Sequence, residues 1–556
     1  MAGRRRTIMK IIGAWSGHDC SFCVLKNGIP VVHAEYERYY SREKSPQGDS
    51  LGFLFDRDSK SANEAIHYAS VYPKKKIKQH EESFKKAQEI IEKNKGKFHF
   101  VSHHKAHAAN AFYSSNFKKS IIVTIDGGGV EDDRGGESAC TIWYGDDVKL
   151  NHLQTFSPQE INIGGVWTRV TRYIFKLQNG WPLGGQEGSI MAMAALGDRA
   201  KYVDDFWKML TVDKMMAGFK PPNQPIGAYV KGKDPIHPYL DPWAKIAEKS
   251  EQDKFDLAAG LQAATEELIR QLLEKVLTAI PDIRHMCLSG GVVLNSLAMG
   301  KIKKWFPDRL DDIYIPPIPY DGGLSIGAAQ IVWHEILGHP RVEWKDNASP
   351  YLGEKWDKNH VNEVLQGCSE KIKVENCDLD DVINLLEEQK IISIFNQGSE
   401  SGRRALGNRS ILADPRNPDM KRIINEKVKH RQWYRPFAPS ILEECVNDWF
   451  DEYQESPYMQ FVLNFKKEKK NLVPAVIHVD GTARLQTVKE CDNSWYYTFL
   501  KAWNEKTGVP IILNTSFNDR EPICENANHA LNCFLKTDID YLYFPEHKIL
   551  VSKIEK

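Results

Sequence analysis

The chain has 556 residues, more than one ordinary domain core needs, which predicts two or three compact units. Lysine plus arginine and aspartate plus glutamate number 74 each, so the formal net charge is zero and no global field attracts nucleic acid or an anionic membrane. No apolar run approaches the roughly 20 residues that cross a bilayer, and the ten cysteines form no dense framework, so we expect a cytoplasmic protein with reduced thiols and no membrane partner.

The first third contains two similar strand–turn–strand segments. Residues 11–28 (IIGAWSGHDCSFCVLKNG) read as a strand, a polar turn and a second strand, and residues 121–147 repeat this pattern around an acidic, glycine-rich turn. Such segments predict β-hairpins. Their repetition suggests a duplicated architecture, in which actin-like proteins and sugar kinases place these turns around one nucleotide; two unrelated hairpins are the alternative.

A histidine pair stands at the start of a predicted helix. His103 and His107 are four residues apart, so they share one helix face and can bind one metal ion. Asp126 and Asp321 follow strands and precede glycine turns, which makes them candidates to complete the ligand set. Imidazole with carboxylate favours Fe, Mn or Zn. A polar helix end with ordinary histidines is the alternative.

Three glycine-rich turns follow predicted strands and can hold an anion on backbone N–H groups. None fits the P-loop or the dinucleotide-binding pattern. Three such turns in one α/β domain nevertheless favour a nucleotide site. Its candidate residues are Asp126, Gly127, Gly128, Gly290, Gly291 and Asp321.

Alternating strands and helices predict an α/β fold for both halves of the chain. Residues 253–280 have apolar side chains at three- and four-residue spacing, which predicts a long helix capped by Asp253 or Asp256. The pattern loosens near residue 345. We therefore predict a first domain over residues 1–345, a linker over 346–375 and a second domain over 376–556.

The second domain concentrates basic residues between positions 398 and 440. Surface charge on a helix does not explain Arg404 and Arg435, which lie among glycine, proline and aromatic residues, or Arg484 in a further turn. Asn514 follows an apolar strand and adds an amide. Because arginine forks match phosphate oxygens, the pattern predicts a site for a compact phosphate dianion rather than nucleic acid.

The ordered motifs resemble the NodU/CmcH family of O-carbamoyltransferases over nearly the whole chain. They include SHHKAHAANAFY, TIDGGG, LSGGVVLN, PYDGGLSIGAA, GRRALGNRSILADPR, RPFAPS, HVDGTARLQTV and LNTSFN. The resemblance implies an N-terminal ASKHA domain, actin-like with a duplicated ribonuclease H-like fold, joined to a C-terminal YrdC-like α/β domain. It implies an enzyme of natural-product biosynthesis.

The implied reaction has three steps. Carbamoyl phosphate is hydrolysed to carbamate in the C-terminal domain, and carbamate attacks the α-phosphate of ATP in the N-terminal domain to give carbamoyladenylate and pyrophosphate. A hydroxyl of a small-molecule acceptor then takes the carbamoyl group and releases AMP. The implied cofactor is Fe²⁺ or another divalent metal, with Mg²⁺ as a candidate second ion.

The resemblance also assigns residues by motif. His103, His107, Asp126 and Asp321 would be the metal ligands, and Gly291 and Asn295 would contact the nucleotide. His18 would be a general base beside the acceptor hydroxyl, with Lys429 and Arg435 as the other catalytic groups. The implied carbamoyl phosphate site consists of Arg404, Lys429, Arg435, Arg484 and Asn514. Arg403 stands where the family often has proline.

Three alternatives remain open. The chain could carbamoylate a tRNA nucleoside, although its balanced charge speaks against nucleic acid; it could be an ATP-gated binding protein on an actin-like scaffold; or it could be a sugar kinase. The acceptor cannot be read from the sequence, although residues 213–240 are expected to border its pocket. A homodimer is also left open.

Overall fold

The computed structural model describes residues 8–41, 46–158, 160–177, 186–210, 240–342 and 350–554. The chain forms two compact units: unit 1 comprises residues 1–190, 197–295 and 302–348, and unit 2 comprises residues 191–196, 296–301 and 349–556. Within the described ranges no helix is both long and apolar enough to span a bilayer. All ten cysteines are free thiols.

The first sheet of unit 1 has five strands. They are β1 (Lys10–Trp15), β2 (Ser21–Lys26), β3 (Ile29–Glu35), β4 (His67–Val71) and β5 (Lys97–Val101). Their order is β3-β2-β1-β4-β5. The first three strands are antiparallel neighbours, and β4 and β5 continue the sheet in parallel from β1.

The second sheet repeats this arrangement. Its strands are β6 (Lys119–Val130), β7 (Glu137–Asp146), β8 (Lys149–Phe156), β9 (His285–Ser289) and β10 (Asp312–Tyr314). The order β10-β9-β6-β7-β8 has the same connectivity, with β6, β7 and β8 antiparallel and β9 parallel to β6. The repeated order is that of two ribonuclease H-like folds, which confirms the predicted duplicated, actin-like α/β architecture. The two predicted hairpins are β1–β2 and β6–β7.

Thirteen helices are numbered along this part of the described chain, of which α11 and the second half of α7 belong to unit 2. They are α1 (Ser50–Arg57), α2 (Ser59–Glu64), α3 (Lys74–Lys78), α4 (Glu81–Lys93), α5 (His103–Ser114), α6 (Ile163–Arg169), α7 (Glu187–Ala194), α8 (Val203–Leu210), α9 (Asp241–Ala247), α10 (Glu251–Ala279), α11 (Ser296–Met299), α12 (Ile302–Trp305) and α13 (Leu324–Ile331).

Helices α5 and α13 pack between the two sheets of unit 1 and share one apolar core with both. Small residues let the helices approach closely, because a Cβ added at Gly327 of α13 would lie 1.9 Å from the carbonyl oxygen of Ala106 in α5. Helix α5 begins at His103, and α13 begins directly after the turn that contains Asp321. Both helices therefore begin at predicted site residues.

The long helix predicted over residues 253–280 is α10, but its predicted cap is wrong. The helix begins at Glu251, and the Ser250 side chain caps it by accepting a hydrogen bond from the Asp253 backbone N–H at 3.0 Å. Serine in extended backbone directly before the first turn is the better placed cap. Asp253 lies one turn inside the helix, where its carboxylate accepts from the Ser250 hydroxyl at 2.7 Å.

Unit 2 is built on one mixed sheet of eight strands in the order β11-β20-β19-β12-β13-β18-β14-β17, beside a two-stranded ribbon of β15 and β16. The strands are β11 (Ile372–Asn376), β12 (Ile392–Phe395), β13 (Arg409–Ala413), β14 (Ala438–Leu442), β15 (Val462–Asn464), β16 (Thr482–Arg484), β17 (Gln486–Val488), β18 (Ile511–Ser516), β19 (Tyr541–Phe544) and β20 (Ile549–Lys553). The helices are α14 (Lys358–Gln366), α15 (Leu379–Glu387), α16 (Met420–Lys427), α17 (Val446–Trp449), α18 (Ser494–Thr507) and α19 (Ala527–Lys536). This is an α/β unit, as predicted; the narrower YrdC-like assignment stays a prediction.

The predicted linker over residues 346–375 differs from what is observed. Its second half contains α14 and most of β11, and β11 pairs with β20 at the edge of the unit 2 sheet. Four of the five β11 residues are exposed. Its sequence IKVEN alternates apolar and polar residues over only two periods, too short a pattern to mark a strand.

Candidate functional site

Helix α5 places two histidines side by side at its first turn. His103 and His107 are both buried, and their Nε2 atoms lie 3.2 Å apart. The intervening His104 points elsewhere, with Nδ1 on the Thr124 hydroxyl and Nε2 2.9 Å from the Ser138 carbonyl oxygen. Four-residue spacing thus brings together the two histidines that the sequence predicted and leaves His104 in the core.

Two aspartates close the cluster, which we call the His–Asp cluster (His103, His107, Asp126 and Asp321). Asp126 Oδ2 lies 3.3 Å from His103 Nε2 and 3.1 Å from His107 Nε2. Asp321 Oδ1 lies 3.5 Å and 3.4 Å from the same two nitrogens. One donor atom from each residue falls within 4.8 Å of all the others, so the four candidate ligands converge on one point.

Neighbouring groups orient these side chains. Asp126 Oδ1 accepts hydrogen bonds from the backbone N–H groups of Gly127 at 2.8 Å and Gly291 at 3.3 Å, which turns Oδ2 towards the histidines. The Ser289 hydroxyl donates to the Pro319 carbonyl at 2.9 Å and so accepts from His107 Nδ1 at 3.4 Å. Because Nδ1 is engaged with Ser289, Nε2 is the nitrogen of His107 that a metal ion would use.

This donor set fits a divalent transition metal. Two imidazole nitrogens and two carboxylate oxygens suit Fe, Mn or Zn. Burial would by itself raise the pKa of Asp126, but the hydrogen bonds and charges of His103 and His107 hold that pKa well below its usual range. Asp126 is therefore ionised, as a metal ligand must be.

His18 lies at the accessible side of the His–Asp cluster. Its Nε2 is 3.3 Å from Asp321 Oδ2 and its Nδ1 is 3.1 Å from Asp19 Oδ2, while 42% of the side chain is exposed. The Trp15 indole N–H donates to the His18 carbonyl at 2.7 Å, and its ring meets His103 edge-on at 5.6 Å. The predicted general base is thus held beside the cluster with its imidazole open to a ligand.

The glycine turns pack directly against one another. A Cβ at Gly290 would lie 2.2 Å from the Ile125 carbonyl oxygen, and the residue has φ = +101°, so only glycine fits there. A Cβ at Gly164, in the first turn of α6, would lie 2.5 Å from the Gly127 nitrogen. Gly128 has φ = +147° and faces open space. The predicted nucleotide turns therefore surround the His–Asp cluster.

Asn295 uses its amide within the protein. Its Nδ2 donates to Gln262 Oε1 at 2.9 Å, and its Oδ1 accepts from Gln262 Nε2 at 3.0 Å. Both residues are buried. This reciprocal pair braces the turn after β9 against α10; the nucleotide contact that the resemblance implies for Asn295 stays a prediction.

Sequence reasoning missed Lys76, in a run of lysines on α3. Its ammonium lies 5.8 Å from the centre of the Trp15 ring, which in turn contacts His103. Burial lowers the pKa of Lys76, and the charge of Asp321 opposes this effect. The neighbouring Lys75 and Lys78 are exposed. The burial of Lys76 could not be predicted, because a run of lysines normally marks a solvated surface.

In unit 2 the predicted arginines gather in what we call the arginine cluster (Arg404, Arg431, Arg435 and Arg484). Burial lowers the pKa of Arg484 well below its usual range, and the charges of the other three arginines lower it further. Burial and Arg435 act in the same direction on the pKa of Arg431. These like charges oppose one another, and a bound anion would relieve their repulsion. Arg431 was not among the predicted residues.

Asn425 of α16 positions two members of the arginine cluster. It is fully buried. Its Oδ1 accepts from Arg431 Nε at 2.8 Å, and its Nδ2 donates to the Arg435 carbonyl at 3.0 Å. The Arg431 guanidinium also lies 4.7 Å from the centre of the Phe437 ring. A single amide thus fixes the loop that carries both guanidinium groups.

Lys429 and Asn514 both hydrogen-bond within unit 2. The Lys429 ammonium donates to the carbonyl of Ser516, and to the carbonyl and side-chain oxygens of Asn518 at 2.7 Å each. The Ser516 hydroxyl lies a further 3.4 Å from the ammonium, which thus clamps the end of β18. Asn514 Nδ2 lies 3.1 Å from the Ala405 carbonyl, next to Arg404 in sequence. Both side chains brace the loops around the arginine cluster; the direct phosphate contact that the resemblance implies stays a prediction.

Residues 213–240, expected to border the acceptor pocket, lie outside the described residues apart from Leu240.

Two protein family descriptions match the chain: Carbamoyltransferase N-terminus over residues 18–330 and Carbamoyltransferase C-terminus over residues 383–553. Nodulation protein NolNO of Sinorhizobium fredii is 37% identical over 463 residues, covering 80% of this chain and 62% of NolNO. Nodulation protein NolO of Bradyrhizobium diazoefficiens is 34% identical over 455 residues, covering 80% of this chain and 77% of NolO. The match thus spans less than two thirds of the length of NolNO.

Two solved structures share a distant likeness. Full-length HypF in its phosphate- and nucleotide-bound form is 15% identical, with a TM-score of 0.34 over 60% of this chain and 56% of that one. A ROK family protein from Streptococcus pneumoniae in complex with sucrose is 12% identical, with a TM-score of 0.33 over 59% of this chain and 99% of that one. These TM-scores are too low to support a fold assignment. The assignment rests instead on the order of the strands in the two sheets of unit 1.

Proposed function

The chain belongs to the carbamoyltransferase family, and we propose that it is an ATP-dependent O-carbamoyltransferase that uses carbamoyl phosphate and modifies a hydroxyl of a small molecule. The observation that carries this proposal is the presence of two different polar centres. Unit 1 contains the His–Asp cluster among glycine turns, and unit 2 contains the arginine cluster.

In unit 2 the arginine cluster would bind the dianionic phosphate of carbamoyl phosphate. Hydrolysis breaks the bond between the carbamoyl group and the phosphate, adds water and yields carbamate and inorganic phosphate. Guanidinium groups stabilise the charge that develops on the departing phosphate. Lys429 and Asn514 support this pocket by holding the β18 end and the Arg404 loop in place.

In unit 1 a carbamate oxygen would attack the α-phosphorus of ATP, and pyrophosphate would leave. Backbone N–H groups of the glycine turns are placed to orient phosphate oxygens. His103, His107, Asp126 and Asp321 would hold one divalent metal, proposed to be Fe²⁺. This metal would supply positive charge beside the phosphates. Mg²⁺ is the candidate second ion.

The acceptor hydroxyl would then attack the carbonyl carbon of carbamoyladenylate, and AMP would leave. His18 is the proposed base for the hydroxyl proton, because its imidazole is exposed beside the His–Asp cluster. Relatives named as nodulation proteins favour a natural-product acceptor. The ten free thiols support the proposed cytoplasmic location.

The direct test is the identity of the nucleotide products. Purified chain incubated with ATP, carbamoyl phosphate and a divalent metal is expected to release pyrophosphate, and to release AMP as water replaces the acceptor and hydrolyses carbamoyladenylate; omission of carbamoyl phosphate should stop both. Chromatography of labelled ATP separates the products. Formation of ADP and phosphate at the same rate with and without carbamoyl phosphate would instead support a kinase or an ATPase.

A further inference from the structure

The two aspartates of the His–Asp cluster are supported differently. Asp126 Oδ1 accepts two backbone N–H groups, which fix the direction of its carboxylate. The carboxylate of Asp321 makes polar contacts with histidine nitrogens alone, as far as the described chain extends. Its position therefore depends on the backbone that carries it, and the contacts of the residues on either side of Asp321 determine that backbone.

The residue before Asp321 is anchored to strand β3. The Tyr320 hydroxyl donates to Oε1 of Glu35, the last residue of β3, and both residues are buried. The other carboxylate oxygen of Glu35 lies 3.5 Å from Arg38 Nε. A Cβ at Gly322 would lie 2.8 Å from Glu35 Oε1, so the turn packs directly on this carboxylate.

The residue after Asp321 is anchored to the same pair of strands. The carbonyl oxygen of Gly322 accepts from the Ser21 hydroxyl at 2.9 Å and lies 2.8 Å from His33 Nε2. A carbonyl oxygen can only accept, so His33 Nε2 carries the proton of this hydrogen bond. Burial lowers the pKa of His33, which keeps the ring neutral. Two donors on one carbonyl fix the backbone directly after Asp321.

These anchoring side chains lie on one face of the β2–β3 hairpin. Ser21 of β2 is paired with Glu35 of β3, and Cys23 is paired with His33, so Ser21, His33 and Glu35 point the same way. The hairpin belongs to the first sheet, whereas Asp321 follows the last strand of the second sheet. A candidate ligand from one half of unit 1 is thus held by the other half.

We propose that Ser21, His33 and Glu35, which we call the hairpin brace, are positioning residues that set the affinity of the His–Asp cluster for its metal. They touch neither the metal nor a reactant and act by holding the backbone of Asp321. The inference rests on the metal of the proposed function. Groups that orient a metal ligand contribute to metal affinity because a displaced ligand must be brought back before it can bind.

The test begins with Tyr320→Phe, which removes one hydroxyl and leaves every candidate ligand in place. Tyr68→Phe is the matched control, because Tyr68 of β4 is equally buried and its hydroxyl donates to the Ala62 carbonyl at 2.7 Å. Each variant loses one buried hydrogen bond, so their melting temperatures should fall by similar amounts. Affinity for Zn²⁺, which suits this donor set and has no redox chemistry, should fall about tenfold in Tyr320→Phe alone.

A second pair of variants tests the hydrogen bond from His33. His33→Leu removes the donor to the Gly322 carbonyl, and its Zn²⁺ affinity should also fall about tenfold. His33→Gln keeps an N–H donor at the end of a side chain of similar reach, and it should retain most of the wild-type affinity. Metal-free protein is titrated with Zn²⁺ in the absence of ATP and carbamoyl phosphate, and the melting temperature is measured on the same samples.

Wild-type Zn²⁺ affinity in both Tyr320→Phe and His33→Leu would overturn the proposal. Equal losses in Tyr320→Phe and Tyr68→Phe, or in His33→Leu and His33→Gln, would do so as well, because the effect would then be general destabilisation or altered packing. Because the titration needs neither substrate, weaker binding in the brace variants supports the inference even if wild type forms no pyrophosphate. A wild type that binds no Zn²⁺ would remove the metal site and the brace together.

Discussion

His107→Ala is expected to deprive the purified chain of its metal. Wild type should retain close to one divalent ion per chain. The variant should bind that ion more than about a hundredfold more weakly, because mutating a residue that only supports a metal ligand already lowers metal affinity about 10- to 100-fold. The reason is geometric: His107 Nε2 lies within 3.4 Å of candidate donor atoms on His103, Asp126 and Asp321, so its removal opens the centre of the set. Elemental analysis after dialysis, followed by metal titration, gives the measurement.

His104→Gln is the control for this experiment. His104 is equally buried and adjacent, but it hydrogen-bonds Thr124 and Ser138 instead of the His–Asp cluster. Its replacement should lower the melting temperature and leave the metal content unchanged. Equal metal content in wild type and His107→Ala, or equal loss in both variants, would remove the His–Asp cluster as the metal site.

Arg435→Ala should abolish phosphate release from carbamoyl phosphate and leave nucleotide binding unchanged. Arg435 belongs to the arginine cluster, and burial lowers the pKa of its guanidinium. Loss of one such fork removes both affinity for the dianion and stabilisation of the departing phosphate, so the rate should fall by about two to three orders of magnitude. Initial rates of phosphate release and affinity for an ATP analogue are measured on the same preparation.

Arg422→Ala supplies the matched control, because Arg422 lies on the neighbouring helix α16 and pairs with Asp419 and Glu426 at the surface. Exposed pairs of this kind contribute about 0–1 kcal/mol, and we expect wild-type rates. Should Arg435→Ala lose nucleotide affinity to the same extent as phosphate release, separate sites for the two substrates would no longer be tenable.

Local sequence patterns predicted much of the fold and the residues of the His–Asp cluster. The hairpins around Asp126 and His18, the four-residue spacing of His103 and His107, and the aspartates before glycine turns are features of short segments. Backbone geometry converts such segments directly into structure. The duplicated order of the two sheets followed from the repeated hairpins.

Long-range partners were not predictable. Asn295 pairs with Gln262, which is 33 residues away, and Lys429 donates to oxygens 87 to 89 residues farther along the chain. A motif predicts what each of these residues binds, but the folded chain determines which hydrogen-bond partners lie beside it.

Burial without a sequence signature hid other residues. Lys76 stands in a run of lysines, and Arg431 stands in a basic run that resembles a solvated loop. Only the packed structure separates an enclosed guanidinium from an exposed one. The edge strand β11 was missed because its alternation covers only five residues, four of them exposed.

The central claim is that a one-carbon unit released from carbamoyl phosphate becomes attached to AMP in unit 1. Isotope exchange between labelled pyrophosphate and ATP, without any acceptor, tests this most directly because carbamoyladenylate formation is reversible. We predict exchange that requires carbamoyl phosphate, disappears in Arg435→Ala and returns in that variant when carbamate is supplied as bicarbonate with ammonium. Exchange at the same rate without carbamoyl phosphate, or no exchange in a metal-loaded wild type, would contradict the account.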